Sequence, residues 1–204
     1  FANYSQYLWD EYRYGKDEAD FYAEEEAKAY FNSARYQGYH DLIWFDYLDK
    51  EDMFDGHSYN KGGRILHMLR HYLGDDAFFK GLNLYLTANQ FKAAEFHHLR
   101  LAFEEVSGED LNWFFNQWFL DKGHPILEVN WEHRGDSLLL NVSQVQPLSH
   151  PTFKFPVDVD VYFGGKTERK KIWVTKRKER FVFKGLGGAE VLNFDADKVL
   201  LMEL

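Results

Sequence analysis

The spacing of apolar residues changes once along the chain, and that change constrains the fold more than any other feature. Up to Gly123, apolar residues recur every three or four positions. After His124-Pro125 they recur every second position. The first spacing gathers side chains on one face of a helix, the second on one face of a strand. The sequence therefore predicts an α+β chain with two domains: a helical part over residues 1–124 and a small all-β sandwich over 125–204. Proline follows the same division. Pro125, Pro147, Pro151 and Pro156 are the four prolines, and all lie after residue 124. Proline removes a backbone donor and breaks helix interiors, but it suits turns and strand edges. Charge divides there too. Residues 1–124 hold 22 acids and 12 bases, residues 125–204 hold 11 and 12, and together these give the net −9.

Six helices are expected in the first part. Phe1, Tyr4, Leu8 and Tyr12 share one face, and Gly15 is a stop signal. Asp17 is a candidate cap for a second helix reaching about Arg35. Ser58 is a candidate cap for a third, whose apolar face is Ile65, Leu66, Leu69, Tyr72 and Leu73, with Gly74 after it. Three more run from Asp75 or Asp76 through Leu86, from Phe96 to Val106, and from Leu111 to Trp118. Residues 37–57 read as irregular and acidic. In the second part, alternation predicts seven short strands, the last carrying Val199 and Leu201. Turn signals at Gly135-Asp136, Gly164-Gly165 and Gly187-Gly188 separate several of them.

Composition removes several function classes. With no cysteine, there is no disulfide framework, thiolate metal site or cysteine nucleophile. The acidic balance opposes nucleic acid as a partner. The basic run from Lys166 to Lys184 is interleaved with acids and strand-forming residues, which reads as a solvated sheet face. No apolar run reaches the ~20 residues of a membrane span. The chain starts with Phe1 in mid-pattern and shows no leader signature, which reads as a piece of something longer. Nothing in it assigns a compartment.

Several patterns could carry chemistry. His67 and His71 stand four residues apart on one expected helix, a spacing that can offer two imidazoles to zinc. No glutamate follows His67, however, and Arg64 lies beside the pair, so a polar helix face is the plainer reading. His97-His98 should point apart. Ser58-Tyr59-Asn60-Lys61 fits S-x-x-K of serine hydrolases, but no S-D-N or K-T-G follows. The stretch Asp49 to Gly56 resembles a calcium loop with Met53 where an oxygen is needed. Paired acids such as Glu24-Glu25-Glu26 read as helix surface.

A longer composite pattern is more specific. Tyr59, Lys61-Gly62, Leu66 and Met68-Leu69 resemble the Y-x-K-G-x-x-x-L-x-M-L segment of aminopeptidase N-type zinc peptidases. Gly74, Phe79, Gly81-Leu82 and Tyr85 resemble the segment that comes next. Leu111, Trp113-Phe114-Phe115, Gln117-Trp118, Gly123 and Pro125-Ile126-Leu127 resemble the family's join to its sandwich domain. Gln144-Val145-Gln146 and Phe155-Pro156-Val157 resemble that sandwich. Phe1-Ala2-Asn3-Tyr4 resembles the residues after the family's N-E-G.

The resemblance implies a thermolysin-like catalytic domain, of which residues 1–124 are the later part. It also implies hydrolysis of N-terminal residues from peptides and zinc in the full-length parent. The family's zinc is held by H-E-x-x-H and a later glutamate, and this chain contains no H-E-x-x-H. On this reading the chain itself binds no zinc and is inactive alone, and its partners are peptide substrates and the missing N-terminal part of its own domain. A catalytically dead peptide-binding or scaffold module is the alternative. The resemblance assigns one catalytic residue here, Tyr59, whose hydroxyl would donate to the oxyanion of the tetrahedral intermediate. Phenols ionise near ~10, so such a donor is neutral at working pH. Lys61 and Gly62 are expected to be structural, Lys61 by pairing with the acidic stretch and Gly62 by admitting close helix packing. The acids of residues 37–57 would line a channel for a cationic peptide terminus. Tyr4, Tyr7 and Trp9 are expected to be unusually exposed, because half of the domain they would pack against is missing.

Overall fold

Gly15 permits the first reversal of the chain. Its φ of +96° lies where a side chain would be strained, and it joins helix α1 (Ala2–Tyr14) to α2 (Lys16–Gln37). The computed structural model describes all 204 residues and divides them into two compact units, Phe1–Gly123 and His124–Leu204. The first is helical and the second all-β, so the chain is α+β.

The helical unit continues with a short 3-10 turn (Lys50–Met53), a π-helical turn (His57–Lys61), α3 (Gly62–Leu73), α4 (Asp75–Ala88), α5 (Phe96–Ser107) and α6 (Asn112–Phe119). Its core follows the expected face in α3, whereas Phe1 and Tyr12, expected on the apolar face of the first helix, and Leu86 of α4 are exposed. Ile65, Leu69, Phe78, Phe103, Leu111 and Phe115 are fully buried. Phe78 stacks on Phe103 at 5.3 Å and Phe115 on Phe119 at 4.4 Å.

Four local expectations are corrected. Asp17 and Ser58 do not cap: Asp17 lies inside α2, whose cap is Gly15, and Ser58 lies inside the π-helical turn. Tyr4 and Tyr7 are buried, at 3% exposure each, whereas Trp9 is 55% exposed. The three- and four-residue spacing places both tyrosines against neighbouring helices: Tyr4 packs edge-on against Phe78 of α4, and the Tyr7 hydroxyl donates to Asp20 of α2 at 2.9 Å. His67 does not lie on a solvated face. Its ring packs on Tyr4 and Tyr7, with centroids at 6.0 and 4.6 Å. Glu26 leaves the expected helix surface, for reasons given below.

The β unit has six strands, not seven. The strands are β1 (Leu127–Arg134), β2 (Ser137–Gln144), β3 (Phe155–Phe163), β4 (Lys166–Val174), β5 (Lys178–Lys184) and β6 (Val191–Phe194). They form two antiparallel sheets, ordered β1-β2-β5 and β4-β3-β6. Buried Leu138, Leu140, Val142, Val157, Val159 and Val161 supply the core. The expected seventh strand fails because Asp195, at φ +53°, turns the chain. Its carboxylate accepts the backbone N–H of Val199 (3.1 Å) and of Leu200 (2.9 Å), so these donors do not join a ladder. Between β2 and β3 the chain is held by amides. Gln144 Nε2 donates to the Phe153 carbonyl at 2.8 Å, Gln144 Oε1 accepts the Phe153 N–H at 2.9 Å, and Gln146 Nε2 donates to Gln144 Oε1 at 2.9 Å.

Candidate active site

Tyr59 sits in the middle of the π-helical turn His57–Lys61, which leads directly into α3. Turns of this kind are rare, and they concentrate at functional sites. Asp55 builds it. The side-chain Oδ1 accepts the Ser58 N–H at 2.9 Å, and the Asp55 carbonyl accepts the Tyr59 N–H at 3.2 Å. The Lys61 N–H then bonds the Gly56 carbonyl at 2.9 Å. Gly56 is the close approach on which the turn rests. A Cβ there would lie 2.6 Å from Ser33 Cβ of α2. Gly62, expected to have that role, has only ordinary contact, its nearest neighbour being Leu42 at 3.6 Å. Tyr59 is 44% exposed, and its ring tilts against Phe54 at 6.1 Å.

Beneath this exposed phenol lies a buried ionic cluster. Two imidazoles meet on one oxygen of Asp55: His40 Nε2 at 2.7 Å and His57 Nδ1 at 2.8 Å. The other ring nitrogen of His40 lies 2.7 Å from the Asp41 carbonyl. A carboxylate and a carbonyl can only accept, so both nitrogens of His40 must donate, and His40 is an imidazolium. Burial opposes that charge, but the bonds to Asp55 and Asp41 outweigh it and raise its pKa above 6.5. His57 is fully buried, and its Nε2 faces no hydrogen-bond partner. Burial lowers its pKa, reinforced by the neighbouring His40 charge and only partly offset by Asp55. Burial alone would raise the Asp55 carboxyl. The two imidazoles and the Ser58 N–H hold it well below the usual carboxylate range. The rings stack in a column, Trp44 on His40 at 4.2 Å and His40 on His57 at 3.8 Å, with Tyr30 edge-on to His57 at 5.2 Å.

Lys61, on the same turn, is also fully buried. Its Nζ donates to the Asp121 carbonyl at 3.3 Å. Burial pushes its pKa down to about 8, against the charges of Asp41, Asp121 and Asp55. Its pairing with the acidic stretch is thus electrostatic, without a direct salt bridge. It does not serve Ser58 as S-x-x-K would require. A third tie comes from Glu26 of α2, whose Oε2 accepts from Asn3 Nδ2 at 2.5 Å and from Asn60 Nδ2 at 2.7 Å.

The remaining candidates separate. His67 lies under the α1 tyrosines, with Tyr4 Oη at 3.3 Å from Nδ1, while His71 is exposed. Burial, aided by Arg64 and Arg70, draws the His67 pKa well below 6.5. His97 and His98 do not point apart. Their centroids are 4.3 Å from each other, and His98 Nδ1 accepts the Glu95 N–H at 3.0 Å. In the acidic stretch, Asp49 and Asp52 cap the 3-10 turn in a capping box, and Asp55 is occupied by the histidines. Asp49, Asp52 and Asp55 are thus each engaged locally.

One set of donors converges closely enough for a metal to be considered. The ligand atoms of His40, Asp55 and His57 lie within 4.8 Å of one another. Two features oppose a dication there. The set already balances one positive and one negative charge, and the buried Lys61 adds a cation whose charge acts on both imidazoles. These three side chains are therefore engaged with one another, with no ligand set directed at a metal. The spacing D-x-H at 55–57 is the available signal for Asp55 and His57, whereas nothing local announces His40.

Residues 1–118 match the Peptidase family M1 domain. That is more than half of the chain, and the chain belongs to this family. It is 40% identical to the aminopeptidase N of Lactococcus lactis subsp. lactis over 86 residues, which cover 42% of this chain and 10% of that protein. It is 28% identical to the aminopeptidase M1 of Arabidopsis thaliana over 150 residues, covering 73% of this chain and 17% of that one. The chain thus spans a small part of the relatives it matches. Among solved structures, an aminopeptidase A of Legionella pneumophila in complex with aspartic acid superposes with a TM-score of 0.65 at 19% identity, over 78% of this chain and 19% of the other. That likeness concerns the fold.

Proposed function

We propose that this chain belongs to a zinc-dependent aminopeptidase that removes N-terminal residues from peptides, and that Tyr59 is its oxyanion donor. Residues 1–124 would be the later part of the catalytic domain and 125–204 the β domain after it. Family membership supports the reaction class. The observation that carries the role of Tyr59 is its mounting. An exposed phenol stands on a turn held at two points by Asp55, whose carboxylate accepts the Ser58 N–H and whose carbonyl accepts the Tyr59 N–H. Catalysis gains most from a donor that is already aimed where negative charge develops and needs no reorganisation. No step is assigned to a metal through this chain's residues, since no H-E-x-x-H is present and the converging donors are paired with each other. The chain alone would bind no zinc and show no turnover. Zinc and the general base would belong to the rest of the parent enzyme.

The test is Tyr59→Phe in the full-length enzyme containing this chain, assayed by release of an N-terminal residue from a chromogenic amide. Loss of one such donor typically costs ~10²–10³ in kcat. The substitution leaves ring packing on Phe54 in place, so KM should change little. A kcat within a factor of two of wild type would remove Tyr59 from the reaction.

A further inference from the structure

We infer that His40, as an imidazolium, is a positioning residue for Tyr59: it fixes Asp55, and Asp55 fixes the turn that carries the phenol. The inference rests on the oxyanion-donor reading of Tyr59 and adds a part to it from outside the π-helical turn. The path is short and fully hydrogen-bonded. His40 Nδ1 is anchored on the Asp41 carbonyl at 2.7 Å, and its Nε2 donates to Asp55 Oδ2 at 2.7 Å. The second carboxylate oxygen holds the Ser58 N–H at 2.9 Å, and the Asp55 carbonyl holds the Tyr59 N–H at 3.2 Å. His40 is in irregular chain, 15 residues before Asp55, so the turn is braced by a segment that is not part of its helix.

The charge on His40 is essential to this path. A neutral imidazole carries one N–H and would have to release either Asp41 or Asp55. Releasing Asp55 leaves its Oδ2 held by His57 alone, and the carboxylate whose Oδ1 holds the Ser58 N–H loses one of its two anchors. The neighbouring groups set the balance around His40. Asp55 and the Asp41 carbonyl favour its charge. Lys61 opposes it, itself surrounded by Asp41, Asp121 and Asp55. His57 shares the same Asp55 oxygen and is stacked on His40 at 3.8 Å, and its own protonation is disfavoured by the His40 charge. Trp44 and Tyr30 close the stack on either side. The bracing is present while His40 is protonated and is lost as pH rises through its raised pKa. A residue placed this way affects rate through geometry, and a displacement of about 1 Å costs on the order of 10²-fold.

The experiment compares His40→Gln, His40→Arg and Tyr59→Phe in the full-length enzyme, with kcat followed across pH and hydrogen exchange followed on peptides covering residues 55–62. His40→Gln should lower kcat about 10–100-fold with KM little changed, and exchange in 55–62 should accelerate. His40→Arg supplies a permanent cation able to donate to the carboxylate. It should restore most of the rate and remove the alkaline fall in kcat that His40 imposes. Wild-type kcat and exchange in a folded His40→Gln would overturn the proposal. So would a folded His40→Arg no better than His40→Gln, or one that keeps the wild-type alkaline limb. One mole of zinc bound per mole of chain and lost in His40→Gln would also overturn it, by making the cluster a metal site. If Tyr59→Phe is silent while exchange opens in His40→Gln, the oxyanion reading fails and the brace on the turn stands. If Tyr59→Phe is slow while His40→Gln is silent by both measures, the brace fails and the oxyanion reading stands.

Discussion

The two units bury polar side chains by opposite means. In the helical unit, His40, Asp55 and Lys61 carry charge into the interior, and each carries a shifted pKa. In the β unit, Gln144 and Gln146 are buried at 2% and 1% exposure as neutral amides, bonded to backbone and to each other. Both devices pin an irregular segment, residues 38–49 in one unit and 145–154 in the other. Amides pin a loop at low desolvation cost, because no ion leaves water. Charges pin it at higher cost but make the geometry responsive to pH. The costly device lies under the proposed catalytic residue, and the cheap one lies where only shape is needed.

The largest effect that would sharpen this contrast is expected from Asp55→Asn. Removing one partner of a buried pair typically costs about 3–5 kcal/mol, because the remaining charge is stranded. The pH dependence should change as well. Asp55, held below its ordinary 3.8, contributes stability above that pH and loses it as pH falls further. His40, held above 6.5, contributes fully below that pH and loses its share as pH rises through the raised value. Wild-type helical-unit stability should therefore be broadest between these limits, and Asp55→Asn should flatten both edges. Thermal unfolding followed from about pH 2 to about pH 9 checks this; an unchanged profile would show that the cluster is not ionic.

A smaller loss is expected from Gln144→Leu in the β unit. The Phe153 N–H and carbonyl lose their partner, and an orphaned buried group costs about 1–3 kcal/mol. That loss should be the same at acid and neutral pH, since an amide does not titrate. A pH-dependent loss would break the comparison. The smallest effect is expected from Arg169→Met. Arg169 donates to Asp160 at 2.7 Å and to Asp197 at 2.5 Å, but its side chain is 44% exposed. Solvent-exposed pairs are worth about 1 kcal/mol or less, and salt should reduce even that. A denaturant midpoint that shifts equally at low and high salt would speak against a screened surface pair.

Much of the architecture was legible because it depends on local periodicity. The change of spacing at His124 coincides with the start of the β unit, and the helix ends at Gly15 and Gly74 follow from stop signals. Tyr59 was legible as a motif residue, and its role remains a proposal. What periodicity could not show is pairing between irregular segments. His40 has no helix or strand to place it, and its partner Asp55 resembled one more acid in an acidic stretch. Glu26 looked like surface because its neighbours Glu24 and Glu25 are surface, yet the helix turns about 100° per residue and aims it at Asn3 and Asn60. Tyr4 and Tyr7 were misplaced by reasoning from what lies outside the chain; spacing put Tyr4 on the apolar face but passed over Tyr7, which is equally buried.

The misread seventh strand has a consequence of its own. Val199 and Leu201 have the alternation of a segment that can add itself to the open edge of another molecule's sheet. Edge-to-edge pairing of that kind leads to aggregation, and folded proteins suppress it by withholding backbone donors. Asp195 does this by occupying the N–H groups of Val199 and Leu200 with one carboxylate. It also closes β6, an edge strand of four residues. A single side chain thus withholds two backbone donors that edge pairing would need.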